Sequence, residues 1–301
     1  MRVTLGINNC FAVKRWPLAD EWAQIVADEL GLDLVQHSLD LTDLAGDAET
    51  DAARMRRACS AHGLRIHSVF TGLMAYSTGL MLAPDAAQRQ RGEAYWADAI
   101  RFAAALGAVC VGGHVGSLSR HDADRPERRA ALHGELRERL ARLGGLAHDH
   151  HLAALLIENM ACDREPSRMV DFDVLLAAGT DRRAAITLCL DVGHQCVPGT
   201  TGDEADPYAW LTALGRQTAV VHLQQSDADG DHHWPFTAAY NERGRIRAPR
   251  VLQALGESGA DEITLILEVI PPFEADDQLV LDELQESVAY WQQAITDVDA
   301  A

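Results

Sequence analysis

Short apolar runs alternate with longer segments of helical periodicity along the whole chain. Eight runs are rich in β-branched and aliphatic residues, and between them apolar residues recur at three- and four-residue spacing. The first pattern is typical of buried strands and the second of amphipathic helices. Glycines mark the expected helix ends, at positions 31, 63, 107 and 259. The predicted strands are Val3–Ile7, Leu32–Gln36, Arg65–Val69, Val109–Gly113, Ala154–Glu158, Ile186–Asp191, Ala219–Leu223 and Ile263–Glu268.

Eight strand–helix alternations predict one α/β domain, a single (β/α)8 TIM barrel that spans residues 1–301. A doubly wound open sheet is the alternative, although it usually has fewer strands. The second strand has the least firm bounds, because LDLVQHSLDL fits the strand pattern in more than one register. The segment LGINNCF at the end of the first strand contains one glycine. A glycine-rich nicotinamide-binding loop is therefore not expected.

The charge balance narrows the classes of partner. The net charge is −19, and Lys14 is the one lysine of the chain. Generic attraction to nucleic acid or anionic lipid is disfavoured, so no nucleic acid and no membrane surface is expected as a partner. Lys14 follows the first strand in a loop, which argues against a class I aldolase. Because lysine-based phosphate loops are also excluded, an anionic substrate must be bound by arginine, backbone N–H groups or a metal.

Cysteine usage and the first residues predict a cytoplasmic location. The six cysteines form no CxxC pair, a pattern typical of reduced thiols in a cytoplasm. The opening MRVTLGINNCFAVKRW lacks the basic-then-apolar order of a signal peptide. No run of about 18 apolar residues predicts a membrane span.

Four chemically active residues stand at the carboxyl ends of the last four predicted strands. They are Glu158 in LLIENM, Asp191 in LCLDVGH, His222 in VVHLQQ and Glu268 in LILEV. Charged residues in a closed parallel barrel are costly unless they are paired or bind a metal. Strand carboxyl ends converge on one mouth, so the four side chains are expected to meet there. Each could instead be a paired structural residue, but four in phase favour a site for Mn²⁺, Mg²⁺ or Co²⁺, with Zn²⁺ as an alternative.

The series IENM, LDVGH, VHLQ and ILEV resembles the xylose-isomerase-like barrel superfamily of sugar-phosphate isomerases and epimerases, over essentially the whole chain. The ketose 3-epimerases of that superfamily hold one metal with Glu, Asp, His and Glu from strands five to eight. The resemblance assigns metal binding to Glu158, Asp191, His222 and Glu268, and assigns the two catalytic bases to Glu158 and Glu268. The opening LGINNCFAVKRW and the segment HWPFTAAYNERGRI are similar to the erythrulose-phosphate 3-epimerases. Free-sugar enzymes carry an arginine shortly after the strand-seven histidine, whereas this chain reads QQSDADGD.

These residues can support epimerisation of a small sugar or sugar phosphate. A divalent metal acts as a Lewis acid beside the carbonyl. One glutamate would remove the C3 proton to give a cis-enediolate, and the other would return a proton to the opposite face. If the same two bases act at C1 and C2, the reaction is an aldose–ketose isomerisation. The residues do not distinguish the two outcomes.

Further residues near the predicted mouth are candidates for substrate binding. His194 could polarise the C2 oxygen of a ketose by hydrogen bonding, and Asn159 could hydrogen-bond the neighbouring Glu158. His67 and His114 fall near the ends of the third and fourth predicted strands, either as wall residues or in contact with hydroxyls or phosphate. Arginines that could bind a phosphate are Arg120, Arg164 and Arg243.

Two other classes of function fit part of the pattern. The trinuclear-zinc endonuclease IV, which acts on abasic DNA, resembles the same barrel and uses additional histidines and a DxH pair. This chain offers His67, His114 and His194, and Asp231 with His233. Its negative charge and scarcity of basic clusters argue against a phosphodiesterase of DNA. A non-catalytic sugar-binding barrel would not need two glutamates. Related barrels often associate, so a homodimer is a further hypothesis.

Overall fold

Eight parallel strands close into a barrel, and helices connect them. A computed structural model of the protein describes residues 1–177 and 184–299. Each strand pairs with its neighbours in chain order, and the last pairs with the first. This closed arrangement confirms the predicted (β/α)8 barrel and excludes the open doubly wound sheet. The strands are β1 Arg2–Asn8, β2 Leu34–Ser38, β3 Arg65–Phe70, β4 Cys110–Gly113, β5 Ala154–Glu158, β6 Ala185–Asp191, β7 Thr218–Leu223 and β8 Glu262–Leu267.

The helices surround this barrel. The first continues as a π-helical turn over Ile25–Glu29. The helices are α1 Ala19–Gln24, α2 Ala48–Ala61, α3 Ala86–Leu106, α4 Arg120–Ala123, α5 Pro126–Asp149, α6 Met169–Leu176, α7 Pro207–Leu214, α8 Ala238–Arg243, α9 Ala248–Glu257 and α10 Asp277–Asp299. Within the described ranges, none of these helices has the length and apolar character needed to cross a bilayer.

The second strand begins two residues later than the pattern predicts. Gly31 has a φ of 62°, and the N–H of Leu32 donates to the carbonyl of Val26 at 3.0 Å. Leu32 is therefore part of the end of the preceding helix, so β2 begins only at Leu34. The glycines at positions 63, 107 and 259 also have positive φ values, which confirms them as helix ends.

Two apolar layers explain which strand residues reach the mouth. One group of side chains fills the barrel, and the alternate residues pack outward against the helices, as Leu155 and Ile157 of β5 do. The side chains that fill the barrel are Leu34, Phe70, Cys110, Ala154, Leu156, Cys189, Val220 and Ile266. Because side chains alternate along a strand, the next residue on the inner face lies two positions further toward the carboxyl end.

Candidate active site

The four predicted metal ligands lie on the inner face of the barrel. Each follows a buried apolar residue of the barrel interior by two positions on its strand. The pairs are Leu156 with Glu158, Cys189 with Asp191, Val220 with His222 and Ile266 with Glu268. The N–H of Glu268 donates to the carbonyl of Leu223 at 2.9 Å, which continues the ladder just beyond β8. The period of two therefore brings all four to one mouth.

These four side chains form one buried cluster. One ligand atom from each lies within 4.8 Å of the others, and none of the residues is more than 8% exposed. The Nδ1 atom of His222 lies 3.0 Å from Oε1 of Glu158 and 2.9 Å from Oε2 of Glu268. In the described part of the chain, the cationic side chains paired with the three carboxylates are all histidines. Three buried carboxylates without a guanidinium or ammonium partner favour a bound cation.

Polar residues of β1, β2 and β3 orient His222. Its Nε2–H donates to Oε1 of Gln36 at 2.7 Å. Asn8 donates to the same oxygen at 2.7 Å, and Nε2 of Gln36 donates to Oγ of Ser68 at 3.0 Å, so this network assigns Gln36 Oε1 as the acceptor. Nδ1 of His222 then faces the two glutamates, at 3.0 and 2.9 Å, on the side where a metal would bind. The sequence analysis did not identify Asn8, the last residue of β1, or Gln36, in the middle of β2, although both are polar residues within largely apolar runs.

The surroundings shift the pKa values of the two glutamates in opposite directions. Burial raises the pKa of Glu158, against the lowering effect of His222. Burial also acts to raise the pKa of Glu268, but His222 and His233 outweigh it and the pKa is lowered. Paired acids whose environments separate their pKa values are suited to opposite roles in proton transfer.

A second group of polar side chains adjoins the first and shares Asp191. Ligand atoms of Asp191, His194 and His233 lie within 4.8 Å of one another. Asp231 lies between the two histidines, with its oxygens 3.3 Å from Nε2 of His194 and 3.2 Å from Nε2 of His233. Gln224 donates to Asp231 at 2.7 Å and to Asp191 at 3.1 Å. Despite their burial, the neighbouring carboxylates raise the pKa of His194 well above its usual range and that of His233 to about 9.

Asn159 contacts the backbone of Asp191, whereas the sequence reasoning expected a bond to Glu158. Its Oδ1 accepts the N–H of Asp191 at 2.7 Å, and its Nδ2 donates to the carbonyl of the same residue at 3.0 Å. The backbone carbonyl of Asn159 accepts from Nδ1 of His194 at 2.6 Å. The side chain thereby links the ends of β5 and β6, and its hydrogen bonds in the described part of the chain go to Asp191.

His114 lies beside the cluster, below two loop residues that the sequence analysis did not identify. Both of its ring nitrogens are buried and have no hydrogen-bond partner among the described residues. Its Nε2 lies 4.0 Å from Oε1 of Glu165. The ring of Tyr76 stacks on it with centroids 4.8 Å apart, and the Tyr76 hydroxyl donates to Oε2 of Glu158 at 3.2 Å. Burial lowers the pKa of His114 to about 4 and raises that of Glu165 to about 7.

His67 does not lie at the end of its strand. In the pairing of β2 with β3, the consecutive residues Val35 and Gln36 face Ile66 and Ser68, so His67 is the extra residue of a β-bulge. The strand continues for three residues beyond it, and its Nδ1 lies 3.1 Å from Oγ of Ser68. The expected position at the mouth is wrong because the bulge and the longer strand place His67 deeper in the sheet.

The candidate phosphate-binding arginines contact other groups. The side chain of Arg120 is 91% exposed and lies 3.8 Å from Asp124 on its own helix. Arg164 donates to a backbone carbonyl at 3.1 Å. The guanidinium of Arg243 lies over the ring of Trp234, 4.1 Å from its centroid. The structure does not bring Arg120 to the buried cluster.

Comparisons with known proteins extend over nearly the full chain. A family model described as xylose isomerase-like TIM barrel matches residues 25–291. A curated relative, the D-erythrulose 1-phosphate 3-epimerase of Brucella abortus (strain 2308), is 28% identical over 305 residues, which cover 97% of this chain and 96% of the relative.

Solved structures give the same picture of the fold. A protein from Rhodospirillum rubrum ATCC 11170 that is described as a xylose isomerase is 32% identical with a TM-score of 0.89, and the match covers 97% of this chain and 99% of the other. The D-psicose 3-epimerase of Clostridium cellulolyticum H10 has a TM-score of 0.72 at 14% identity, with coverage of 97% and 99%. At that identity the likeness supports the fold alone.

Proposed function

The chain belongs to the xylose isomerase-like TIM-barrel family, and from this membership and the site geometry we propose that it is a metal-dependent ketose 3-epimerase. Its relatives show an enzyme of the isomerase class. The observation that carries the proposal is the pair of buried glutamates, Glu158 and Glu268, whose oxygens lie 3.0 and 2.9 Å from the same nitrogen of His222. Two carboxylates near one reaction centre can divide proton removal and proton return.

A tetrulose phosphate is the proposed substrate. The Brucella abortus relative is a D-erythrulose 1-phosphate 3-epimerase and aligns with 97% of this chain. In this chain the residue two positions after His222 is Gln224, which donates to both Asp191 and Asp231. Substrate contacts on this side of the mouth are therefore expected to differ from those of enzymes with an arginine after the strand-seven histidine.

One divalent metal ion fits the cluster of Glu158, Asp191, His222 and Glu268. Their buried ligand atoms converge within 4.8 Å, and three of the four are hard carboxylate donors, which suit Mn²⁺, Mg²⁺ or Co²⁺. When bound, such an ion supplies Lewis-acid stabilisation of the charge that develops on the substrate carbonyl oxygen.

The protein's own residues move the proton. We assign proton removal from C3 and proton return on the opposite face of the cis-enediolate to Glu158 and Glu268. The opposite directions of their pKa shifts suit this division. His194 donates from Nδ1 to the backbone carbonyl of Asn159 at 2.6 Å, and its Nε2 lies 3.3 Å from Asp231. In the proposed complex, Nε2–H also donates a hydrogen bond to the C2 oxygen of the ketose. This donor would stabilise the same developing charge.

The remaining predicted substrate residues receive different roles. We propose that His114 binds a substrate hydroxyl, because its two buried ring nitrogens have no partner in the described ranges. Asn159 is proposed to hold the backbone at Asp191. No substrate role is assigned to His67 or Arg120, whose side chains make their contacts elsewhere.

The test is solvent exchange with a panel of ketose phosphates that includes tetrulose phosphates. The Mn²⁺-loaded protein is incubated in D₂O, and deuterium is located by NMR. Deuterium at C3 with formation of the C3 epimer is expected, whereas deuterium at C1 or C2 would show aldose–ketose isomerisation. Glu158→Gln and Glu268→Gln should each abolish exchange, and Glu257→Gln on the exposed end of α9 should not. Full exchange in both active-site variants, with turnover lost, would overturn the two-base assignment.

A multi-metal phosphodiesterase is the second candidate, favoured by the neighbouring group of Asp191, His194 and His233. The position of His67 below the mouth weakens it, because an additional strand-end histidine of that enzyme class is then missing. Elemental analysis distinguishes the candidates. One Mn²⁺ or Mg²⁺ per chain supports the epimerase, and three zinc ions support the phosphodiesterase.

A cytoplasmic location and a homodimer stay predictions. All six cysteines are free thiols, and four of them are buried, which is compatible with a reducing compartment.

A further inference from the structure

Tyr76 is the residue through which the loop after β3 reaches the catalytic cluster. Tyr76 is 43% exposed, yet its hydroxyl donates to Oε2 of the buried Glu158 at 3.2 Å. The other oxygen of this carboxylate lies 3.0 Å from Nδ1 of His222. Both oxygens of Glu158 are therefore held, one toward the centre of the cluster and one toward the loop.

The turn that carries Tyr76 is held by Asp40. The carboxylate of Asp40 accepts the N–H groups of Leu73 and Met74 at 2.7 and 3.0 Å, at the start of the 3₁₀ turn Leu73–Ser77. The preceding Gly72 has a φ of 68°, and a Cβ atom there would lie 2.7 Å from the Asp40 carboxylate. Only glycine permits this close approach, so the position of the turn is built into the sequence.

The ring of Tyr76 is held from the other side by His114. The two rings are stacked at 8° with centroids 4.8 Å apart. The backbone N–H of His114 donates to Oγ1 of Thr71 at 3.0 Å, which ties β4 to the same loop. A Cβ atom at Gly113 would lie 2.0 Å from that hydroxyl oxygen, so β4 and the loop are in close contact. Tyr76 is thus oriented by two independent sets of contacts.

We propose that Tyr76 is a positioning residue for Glu158, which its hydroxyl holds in the orientation needed for proton transfer while its ring shields the cluster from solvent. The proposal rests on the epimerase function proposed above. A base must be held within hydrogen-bond reach of the carbon acid, and small displacements are costly in rate. The four cluster residues are no more than 8% exposed, so a cover over the mouth is part of the observed state. Tyr76 unites both roles because its ring is at the surface and its hydroxyl is inside.

Tyr76→Phe tests the hydroxyl, because the ring and its stacking are retained. A hydrogen bond to a charged group corresponds to roughly ten-fold to hundred-fold in rate, and the loss is expected in kcat with KM nearly unchanged. The two epimers give their C3 protons to different glutamates, so the ratio of solvent-exchange rates measured from the two epimers should also change. Tyr290→Phe is the matched control, since its hydroxyl accepts a backbone N–H of Ala248 at 3.0 Å on the helical layer. It should leave kcat and the ratio as in the unaltered protein. An equal fall of both exchange rates in Tyr76→Phe, or no fall, would overturn the positioning role.

Tyr76→Ala tests the cover without a substrate. The variant is loaded with Mn²⁺ and mixed with excess EDTA, and metal release is followed with time. Faster release than in the unaltered protein is expected for Tyr76→Ala, and an unchanged rate for Tyr76→Phe. Equally slow release in all three proteins would overturn the shielding role. If the unaltered protein exchanges no proton with any ketose, the epimerase function and the positioning role fail together, and the release rates still decide whether Tyr76 covers the cluster.

Discussion

Gln36→Leu should weaken metal binding although it replaces none of the four proposed metal ligands. The substitution keeps the approximate side-chain size but removes the contacts of Gln36 to His222, Asn8 and Ser68, at 2.7, 2.7 and 3.0 Å. Asn8 retains Oε1 of Glu268 at 3.1 Å, and Ser68 retains a ring nitrogen of His67 at 3.1 Å. Nε2 of His222 has no other partner in the described part of the chain.

One buried donor is therefore left unpaired, which costs about 1–3 kcal/mol. The imidazole also loses the contact that orients it from the Nε2 side and keeps those of Nδ1 with Glu158 and Glu268. Loss of such an orienting contact lowers metal affinity by about 10–100-fold. The metal-free variant is expected to be destabilised by about 1–3 kcal/mol. Its dissociation constant for Mn²⁺ is expected to be about 10–100-fold higher than that of the unaltered protein.

Isothermal titration with Mn²⁺ measures the affinity, and urea unfolding of the metal-free protein measures the stability. Gln253→Leu is the control, since this exposed glutamine of α9 bonds only Glu257 among the described residues. An unchanged dissociation constant in Gln36→Leu would refute the assignment of His222 as a ligand oriented from β2. A loss of stability with an unchanged affinity for Mn²⁺ would show that Gln36 stabilises the barrel but has no role in metal binding.

Three further predictions concern Gly113, Glu165 and the binding of a divalent metal. Gly113→Ala should destabilise the fold by at least about 2 kcal/mol, because its Cβ would meet Thr71 Oγ1 at 2.0 Å at a φ of 134°. By contrast, Gly134→Ala inside α5 meets open space and should stabilise by about 0.5–1 kcal/mol, so similar urea midpoints for both would contradict the geometry. Burial raises the pKa of Glu165 from 4.5 to about 7 in the folded protein. Ionisation of this carboxyl group therefore lowers the free energy of unfolding as the pH rises from 4.5, and the full loss is reached above about pH 7. Glu165→Gln should accordingly stabilise the metal-free protein more at pH 8 than at pH 5, and unfolding at both pH values tests the sign. Divalent metal should raise the melting temperature, because it binds three buried carboxylates only in the folded state; an equal melting temperature with EDTA and with saturating Mn²⁺ would argue against the cluster as a metal site.

The sequence alone predicts the barrel and the identity of its central cluster because both depend on short-range periodicity. Glu158, Asp191, His222 and Glu268 each stand at the carboxyl end of a strongly apolar run, and the chirality and closure of a parallel barrel bring such ends together. Where the periodicity is broken, the prediction fails. His67 looks like a strand-end residue in RIHSVF, but a bulge between β2 and β3 changes its register and the strand runs on to Phe70.

Contacts between residues that are distant in the chain are the part that only the tertiary structure decides. Tyr76 lies six residues beyond β3, and nothing in its neighbourhood in the chain marks it as a partner of Glu158. Asn8 and Gln36 become meaningful only when β1 and β2 close beside β7 and β8, which lie more than 180 positions away in the chain. A pattern of apolar residues specifies which face of a strand is buried, whereas a hydrogen bond between residues distant in the chain depends on the distance and angle that the whole fold imposes.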